Sequence, residues 1–544
     1  MESGRPDTET EDSMSSSEAK SPTIAICIEV GSADLMSGWI DDDWMPNLAR
    51  LRNRGIWCPL ESVTEVSSGS IWPSFYTGVN AAKHGQFFTH MQIDPGTYRI
   101  VKKYANDVPR DPFWVELQKA GRKSAIIDVA QSRPLPAFDG IHVAGWGSEF
   151  PAWPRSSEPA SLMPEILERF GAHPLTDEYR LAIKPETEAE YQQLRAELLH
   201  GARTKAALSK WLLKKQSSDF FLTVFPETHW ATHLLWDTLD GDHPRRNSGL
   251  ADAHASAFRD ILKTIDDFIG EVHAAYPEAN LLIFSLSGMG PNYSGWHILP
   301  ELLIRLGMSS APRGLNRWTP IGRWGAWTTR AMERAVGRRT IETLRRRLPR
   351  RVWDSWTRRI LHAGAGWADS KVFWVPNDYS GALRVNLKGR EPRGRVQPGA
   401  EYEAVCQEVT HALLELKYLE TGRPIVREVV RPQARSKGPW SAVLPDLLVL
   451  WSDEALIDGA HSERVGTIRC QYPERRTGAH RREAFLTAAG PAIAKAGLLQ
   501  EASILDLAPT FLHLAGAPIP EDYDGKVIRG ILKREVSEDL QAAG

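Results

Sequence analysis

The strongest constraint on the fold is a series of short, apolar, β-branched segments that alternate along the chain with longer segments of helical periodicity. Such alternation predicts a mostly parallel sheet covered by helices on both faces, and therefore an α/β protein. The predicted strands are Thr23–Glu29, Ser124–Val129, Phe220–Phe225, Asn280–Ser285 and Asp446–Trp451. Helical periodicity is clearest over Pro46–Arg54, Trp114–Ala120 and Ala251–Ala275.

The same topology indicates where functional residues should be sought. In parallel α/β sheets, these residues collect just beyond the carboxyl ends of the strands. For this chain, the positions of interest are those that follow Ile28, Phe225 and Ser285.

The composition is that of a soluble globular protein with a large core, because 42% of the 544 residues are hydrophobic and 25% are charged. A formal net charge of −2 argues against nucleic-acid binding by the molecule as a whole, so no specific nucleic-acid partner is expected. Cys27, Cys58, Cys406 and Cys470 are scattered and form no CxxC pair. They predict neither a disulfide framework nor a thiolate zinc site.

The N-terminal residues 1–21 are acidic and serine-rich, without the apolar centre of a signal peptide. We therefore expect a disordered tail. No apolar run approaches the roughly 18 residues that a membrane-spanning helix needs. The expected location is the cytoplasm.

One segment is strongly basic. Residues 309–361 contain 14 arginines, five tryptophans and only three acidic residues. One interpretation is a solvated helical insertion whose tryptophans pack on the core. The other is a basic, aromatic cap that docks anionic partners, including phosphate head groups of a membrane surface.

The first candidate site residue is Glu29, at the tip of the first predicted strand. A carboxylate at this position suits an oxygen ligand for a divalent cation. A helix-capping or salt-bridging glutamate is the alternative.

A serine-rich segment, Thr64–Gly78, marks a predicted transition from loop to helix. Ser67, Ser68 or Ser70 could present a hydroxyl at the helix N-terminus, where free N–H groups favour an anionic phosphate. Each could equally be an ordinary N-cap.

Histidines provide the third candidate element. His229 and His233 follow the strand Phe220–Phe225 and are four residues apart, so on a helix they share one face and can bind one metal ion. His480 lies in a polar loop before another apolar run. Three imidazoles with an open fourth position form a known catalytic zinc arrangement, although isolated histidines are more often structural.

Taken in order, these segments resemble the type I phosphodiesterase and nucleotide pyrophosphatase branch of the alkaline-phosphatase superfamily. The resemblance covers residues 22–310 and 370–532. Its strongest stretches are Met45–Pro59, Trp72–Gly85, Val375–Gly399, Thr477–Pro491 and Asp506–Gly525.

The resemblance implies an alkaline-phosphatase-like three-layer sandwich. It divides the chain into a tail, a core over 22–308, a helical insertion over 309–369, a second part of the core over 370–532, and a C-terminal tail over 533–544. The family uses two zinc-like ions and a Thr or Ser nucleophile, which suits in-line phosphoryl displacement.

Carried over by position, the resemblance assigns roles to five residues. Glu29 stands where the family has a metal-binding Asp, and Ser68 stands at the nucleophile position. His229 replaces an Asp ligand, whereas His233 and His480 match the two histidines of the first metal site. We expect all five to converge at one edge of the sheet.

The chain departs from the family at Ser285-Leu-Ser-Gly-Met-Gly290, where the family normally reads Ser-Asp-His-Gly-Phe-Gly. Leu286 and Ser287 replace the Asp and His that bind the second metal. The resemblance therefore implies one bound ion, expected to be Zn²⁺. Lys83, Arg481 or Arg482 could supply part of the missing positive charge.

These observations favour a metal-dependent hydrolase or transferase that acts on a phosphate ester, most consistently a phosphodiester, with Ser68 as nucleophile. A sulfate ester is a related substrate. In a variant of this mechanism, metal-bound hydroxide attacks directly and Ser68 only binds substrate. The alternatives are a catalytically impaired pseudoenzyme that acts as a binding or scaffolding protein, and a protein that binds membranes or polyanions through residues 309–361.

Overall fold

The computed structural model describes residues 20–63, 68–87, 91–94, 96–102, 107–148, 155–175, 184–310, 366–375, 377, 379–470 and 476–533. Nearly all of the predicted tails and of the predicted basic insertion lies outside these ranges. Among the described helices, none combines the length and apolar character that crossing a membrane requires.

Strands and helices alternate over most of the described chain. The strands are β1 (Thr23–Ile28), β2 (Ile56–Glu61), β3 (Met91–Asp94), β4 (Arg99–Lys102), β5 (Ser124–Ile127), β6 (Gly140–Ala144), β7 (Ser156–Glu158), β8 (Phe220–Phe225), β9 (Asn280–Phe284), β10 (Gly288–Pro291), β11 (Val372–Val375), β12 (Gly381–Val385), β13 (Val426–Val430), β14 (Leu447–Trp451), β15 (Gly459–Ser462), β16 (Gly466–Arg469), β17 (Gly478–Arg481), β18 (Glu483–Ala489), β19 (Gly497–Leu498) and β20 (Ala502–Ser503). The α-helices are α1 (Ala33–Asp41), α2 (Pro46–Arg54), α3 (Ser68–Thr77), α4 (Ala81–His84), α5 (Phe113–Lys119), α6 (Leu162–Phe170), α7 (Glu188–Lys215), α8 (Glu227–Leu239), α9 (Ser248–Ala253), α10 (Ala257–Ala275), α11 (Leu299–Arg305), α12 (Ala400–Leu414), α13 (Pro432–Arg435) and α14 (Leu507–Ala515).

The main sheet has ten strands in the order β19-β2-β18-β9-β1-β8-β5-β6-β7, with β20 also paired to β2. β1 lies between β8 and β9 and is parallel to both, so that Ile28 pairs with Phe225 and Cys27 with Phe284. Only β18 and β7 run antiparallel to their neighbours in this sheet. The predicted mostly parallel sheet is confirmed.

The sheet is covered on both faces. Along β1, Ile24, Ile26 and Ile28 join the apolar cluster on one face, whereas Ala25 and Cys27 join the cluster on the other. Helices α2, α7, α8 and α10 pack in the first cluster, and α3, α5 and α14 in the second. Because successive strand residues point to opposite faces, a strand buried on both sides is apolar throughout. The result is a three-layer α/β sandwich.

A separate antiparallel sheet, in the order β11-β12-β14-β13, packs with α11 and α12 around its own apolar cluster. The predicted strand Asp446–Trp451 forms as β14, but it belongs to this sheet and not to the parallel one. An apolar run indicates only a buried strand, so it cannot identify the sheet that the strand joins.

The long predicted helix Ala251–Ala275 is also divided. The helix is interrupted at 254–256, between α9 and α10. In this interruption, His254 packs against α7: its ring stacks on Tyr191 with 5.2 Å between ring centroids, and its Nε2 lies 3.1 Å from Glu188 Oε1.

The predicted insertion over 309–361 can be described only at its borders. Ser310 Oγ donates to the Asp369 carbonyl oxygen at 3.0 Å, and the Ser310 backbone N–H donates to Ser370 Oγ at 3.0 Å. The chain therefore leaves and re-enters the described structure at adjacent points. The predicted cap itself lies outside the described residues.

Candidate active site

Two of the predicted metal ligands lie on α8. This helix begins directly after β8 ends at Phe225, so its first turns lie at the carboxyl edge of the parallel sheet. His229 and His233 are one helical turn apart, and their Nε2 atoms are 2.8 Å from each other. Both side chains are buried.

The third histidine comes from a different part of the chain. His480 lies on β17, which pairs with β10 and places His480 opposite Met289. Its Nε2 is 2.9 Å from His229 Nε2. The Thr477 N–H donates to the His233 carbonyl oxygen at 2.8 Å, which ties the start of β17 to α8. The predicted convergence of these three histidines is thus present in the structure.

The electrostatic environment favours the neutral form of two of the three histidines. Burial lowers the pKa values of His233 and His480 well below the usual histidine value, and the neighbouring His229 and Arg476 act in the same direction. Neutral imidazoles are the form that binds metal ions.

The donor set fits a zinc ion. Within the described residues, these histidines form one group whose potential ligand atoms all lie within 4.8 Å of one another. Nitrogen ligands of a tetrahedral zinc ion, with Zn–N bonds of about 2.05 Å, lie about 3.3 Å apart. The distances from His229 Nε2 to the other two Nε2 atoms, 2.8 and 2.9 Å, would therefore lengthen by about 0.5 Å when zinc binds.

The outer nitrogens of the rings face protein groups. His233 Nδ1 donates to the Gly478 carbonyl oxygen at 2.9 Å, which leaves the Nε2 lone pair directed at the cluster. His480 Nδ1 has a longer contact, 3.5 Å, with Ser287 Oγ. His229 Nδ1 lies 3.1 Å from Glu29 Oε1.

Glu29 follows β1 directly and its side chain is buried. Its Oε1 accepts a hydrogen bond from Trp72 Nε1 at 3.2 Å, in addition to the contact with His229. The structure therefore brings Glu29 to the site, but on the outer side of His229 and outside the group of clustered donor atoms. Its assignment as a metal ligand remains a prediction.

Ser68 is the first residue of α3 and is partly exposed. Trp72 lies four residues later on the same helical face, and its indole N–H contacts Glu29, so this face of α3 includes a residue at the site. Ser70 is fully buried, and Ser67 lies outside the described residues. The role of Ser68 as nucleophile remains a prediction.

The two departures from the family pattern differ in their surroundings. Leu286 is buried in the apolar cluster beneath α3. Ser287 is also buried, and its hydroxyl faces His480. Neither offers a strong metal donor, since a leucine side chain has no lone pair and a protonated hydroxyl is a weak ligand.

The three basic residues proposed as substitutes for the second ion all form ion pairs. Lys83 Nζ is 2.5 Å from Asp524 Oδ1, and an Arg482 nitrogen is 2.6 Å from Glu61 Oε1. An Arg481 nitrogen is 2.9 Å from Asp453 Oδ1.

Sequence reasoning missed two residues at the site. The Tyr379 hydroxyl is 3.2 Å from His233 Nε2, and its ring stacks on His480 at 5.4 Å. The Arg476 guanidinium lies over the Tyr379 ring, 5.7 Å from its centroid. Tyr379 belongs to the Val375–Gly399 stretch that carries the family resemblance, but nothing in that loop distinguishes it as a site residue.

A small, open cleft of about 80 Å³ lies beside the cluster. It runs between the three-histidine site and the antiparallel sheet, so a substrate could approach the histidines through it. Its lining includes Tyr379, His480, Arg427, Arg481, Asp453 and Trp451.

A mostly parallel sheet between two helical layers, with histidines gathered at its carboxyl edge, is the architecture of the alkaline-phosphatase superfamily. Within it, the chain belongs to the type I phosphodiesterase/nucleotide pyrophosphatase family, whose model matches residues 23–478. Members are metal-dependent, and membership supports phosphate-ester hydrolase activity.

Solved structures of ectonucleotide pyrophosphatase/phosphodiesterase 5 resemble the chain at low sequence identity. The murine protein, as an inactive variant in complex with AMP, is 11% identical, with a TM-score of 0.48 and coverage of 94% of this chain and 100% of that chain. The human protein is 12% identical over the same coverage, with a TM-score of 0.44. No curated protein matches this chain.

Proposed function

We propose that this protein hydrolyses a phosphodiester at a single-metal site formed by His229, His233 and His480, with Ser68 as the nucleophile. The observation that carries the proposal is the convergence of Nε2 atoms, with His229 lying 2.8 Å from His233 and 2.9 Å from His480. Three buried imidazoles from two separated chain segments have no packing reason to point their nitrogens at one another.

Zn²⁺ is the ion that these ligands suit best, because it prefers nitrogen donors in tetrahedral geometry with one position open to water or substrate. When bound, the ion would supply Lewis-acid stabilisation of negative charge on the phosphoryl oxygens. Three neutral ligands would leave its full positive charge uncompensated.

Ser68 is suited to attack because it begins α3. Backbone N–H groups at a helix N-terminus favour a bound phosphate. The Ser68 Oγ–P bond forms as the bond from phosphorus to the leaving alcohol breaks. The proton of the serine hydroxyl passes to the leaving alcohol. Water then cleaves the serine ester: the hydroxyl of the water stays on phosphorus, and its other proton returns to the serine oxygen.

Tyr379 and Arg476 lie beside the three-histidine site and could supply part of the positive electrostatic potential that a second metal ion provides in the family. The Tyr379 hydroxyl faces the inner side of His233, and Arg476 lies over the ring. A phenolic O–H and a guanidinium can both stabilise phosphoryl oxygens as charge develops.

A pseudoenzyme is the second candidate, and the position of Leu286 in the apolar cluster favours it. In such a protein, the three histidines would hold a structural ion while the cleft binds a phosphate ester without cleaving it.

The test combines metal analysis with hydrolysis assays. Protein purified without chelators would be analysed for metal content and assayed with bis(4-nitrophenyl) phosphate and 4-nitrophenyl phosphate. We expect diester hydrolysis that is lost in Ser68→Ala and His480→Ala but retained in His461→Ala, which removes an exposed histidine. Bound metal without turnover of either ester would support the pseudoenzyme, and activity that survives in Ser68→Ala would remove the nucleophile assignment.

A further inference from the structure

We infer that Glu29 does not bind a second metal ion but serves the three-histidine site as a positioning residue, holding the proton of His229 on Nδ1. This inference rests on the proposed single-metal function and assigns a new role to the residue that stands at the family's Asp-ligand position.

The first step is the direction of the carboxylate. Glu29 Oε1 lies 3.1 Å from His229 Nδ1, on the outer side of the ring. The opposite nitrogen, Nε2, is the one directed at His233 and His480. The carboxylate and the clustered nitrogens therefore contact opposite sides of one imidazole.

The second step is the tautomer. The carboxylate lies off the ideal hydrogen-bond direction from Nδ1, so the interaction is mainly electrostatic. A lone pair on Nδ1 would face a negative oxygen at this distance, whereas a proton there is attracted to it. In the neutral form that binds metal, the ring is thus held with its proton on Nδ1, and its Nε2 lone pair points at the cluster.

The third step is the surroundings of the carboxylate. Glu29 is only 5% exposed, and the Trp72 indole N–H donates to the same Oε1 at 3.2 Å. Screening by water is weak in such a position, so the effect of the charge on His229 is strong. The indole bond also fixes the direction in which the carboxylate points.

The backbone couples the two residues as well. The Glu29 N–H donates to the Phe225 carbonyl oxygen at 3.2 Å, so the end of β1 is joined to the end of β8 just where α8 begins. Glu29 therefore stays in register with the first turn of α8, which carries His229.

A comparison with His233 supports the same principle. Its Nδ1 donates to the Gly478 carbonyl oxygen at 2.9 Å, and this bond also directs Nε2 inward. Metal-binding histidines generally donate their other N–H to a carboxylate or carbonyl group, and losing that partner weakens metal binding by about tenfold to a hundredfold.

The residues at positions 29 and 229 both differ from the family pattern, and in this structure they contact each other. The family's Asp ligand at position 229 is replaced by an imidazole, and the carboxylate at position 29 has a longer side chain that reaches the outer nitrogen of that imidazole. Consequently, the second metal site loses its carboxylate in addition to the donors missing at Leu286 and Ser287.

The experiment measures Zn²⁺ affinity by competition with a chelating dye, together with the visible spectrum of the Co²⁺-loaded protein. In Glu29→Gln, we expect one equivalent of metal, a Co²⁺ band of unchanged position, and an affinity lower by about tenfold to a hundredfold. The matched control is Glu227→Gln. Glu227 Oε1 lies 2.9 Å from His173 Nε2 in another buried carboxylate–imidazole pair, so this variant should leave Zn²⁺ affinity unchanged.

Other results would overturn the inference. A second equivalent of metal in the wild type that disappears in Glu29→Gln, or a Co²⁺ band that shifts in that variant, would make Glu29 a ligand. Equal Zn²⁺ affinity in wild type and variant would remove its positioning role but leave the proposed function intact. A wild type that binds no metal would refute both.

A second variant keeps the test decisive if Glu29→Gln does not fold. Trp72→Phe retains an aromatic ring but removes the indole N–H that holds the carboxylate. We expect a smaller loss of Zn²⁺ affinity, in the same direction, with one equivalent still bound. Unchanged affinity in a folded Trp72→Phe protein would count against the inference.

Discussion

Gly478 lies so close to Thr232 that a Cβ atom on the glycine would be 2.0 Å from the Thr232 carbonyl oxygen. Two metal-ligand candidates flank this contact, since His480 follows Gly478 by two residues and His233 follows Thr232 directly. The close approach of the two backbones is what brings β17 and α8 near enough for their histidines to meet.

Gly478→Ala should therefore damage the site. Because the atom that would clash belongs to the backbone, no side-chain rotation can relieve the overlap, and β17 must move away from α8. We expect Zn²⁺ affinity to fall at least tenfold, measured by dye competition. Gly38→Ala is the control, since a Cβ there meets no atom within 4 Å, and it should bind metal like the wild type. Wild-type affinity in Gly478→Ala would show that the contact does not position His480.

Tyr379→Phe should separate catalysis from metal binding. The change removes a hydroxyl that lies 3.2 Å from His233 Nε2 but retains the ring stacked on His480. Loss of one donor to developing negative charge typically lowers kcat by about a hundredfold to a thousandfold. We expect a fall of that order in diester hydrolysis, with unchanged zinc content.

The control for this experiment is Tyr418→Phe, which removes a hydroxyl that donates to the Ala455 carbonyl oxygen, outside the strands of the antiparallel sheet and away from the histidines. It should hydrolyse the diester at the wild-type rate. An unchanged kcat in Tyr379→Phe, or a parallel loss of zinc, would contradict the role proposed for Tyr379.

The sequence is informative where one physical rule decides the outcome. The run Thr23–Glu29 predicts a central strand because both faces of a parallel sheet must be apolar, and β1 matches it to within one residue. His229 and His233 are recognisable because a spacing of four residues places them on one face of α8. The direction of the Glu29 carboxylate could not be predicted by such a rule, because it depends on the contact with Trp72 and on the imidazole at position 229.

Tyr379 could not be predicted for a similar reason. It lies in a loop between β11 and β12, and its position beside His233 depends on how the antiparallel sheet packs against the main one. The strand Asp446–Trp451 was predicted, but its sheet was not, because local periodicity carries no information about distant pairing.

His84 should make stability depend on pH. It is buried, its Nδ1 accepts a hydrogen bond from the Gln86 N–H at 3.1 Å, and burial followed by repulsion from Arg110 lowers its pKa to about 3. The unfolded chain, with a histidine pKa near 6.5, therefore binds the proton first as the pH falls. The stabilising contribution is present above about pH 6.5 and is lost progressively towards pH 3.

Urea unfolding between pH 6 and pH 4 would measure this effect. Replacing His84 with Asn retains an acceptor and a donor but removes the titration. We expect the pH dependence of the unfolding free energy to decrease by about 1.4 kcal/mol per pH unit in His84→Asn relative to the wild type. Equal slopes for the two proteins would mean that His84 is protonated in the folded state.

The wild type should bind one metal ion, and two substitutions should create a second site. Leu286→Asp with Ser287→His supplies two strong donors of the types that the family has at these positions, so the new site does not require Glu29, whose carboxylate contacts His229. In the absence of metal, the double variant should be less stable than the wild type, because Leu286 lies in an apolar cluster where an unpaired carboxylate is costly. Zinc binding would compensate for this loss of stability, by about 2.7 kcal/mol when free zinc exceeds the Kd a hundredfold.

Elemental analysis and thermal unfolding would test this scheme. We expect one equivalent of zinc in the wild type, none in His480→Ala and two in the double variant. The zinc-dependent rise of Tm should be larger in the double variant than in the wild type. Two equivalents in the wild type, or one that persists in His480→Ala, would refute the single-metal scheme.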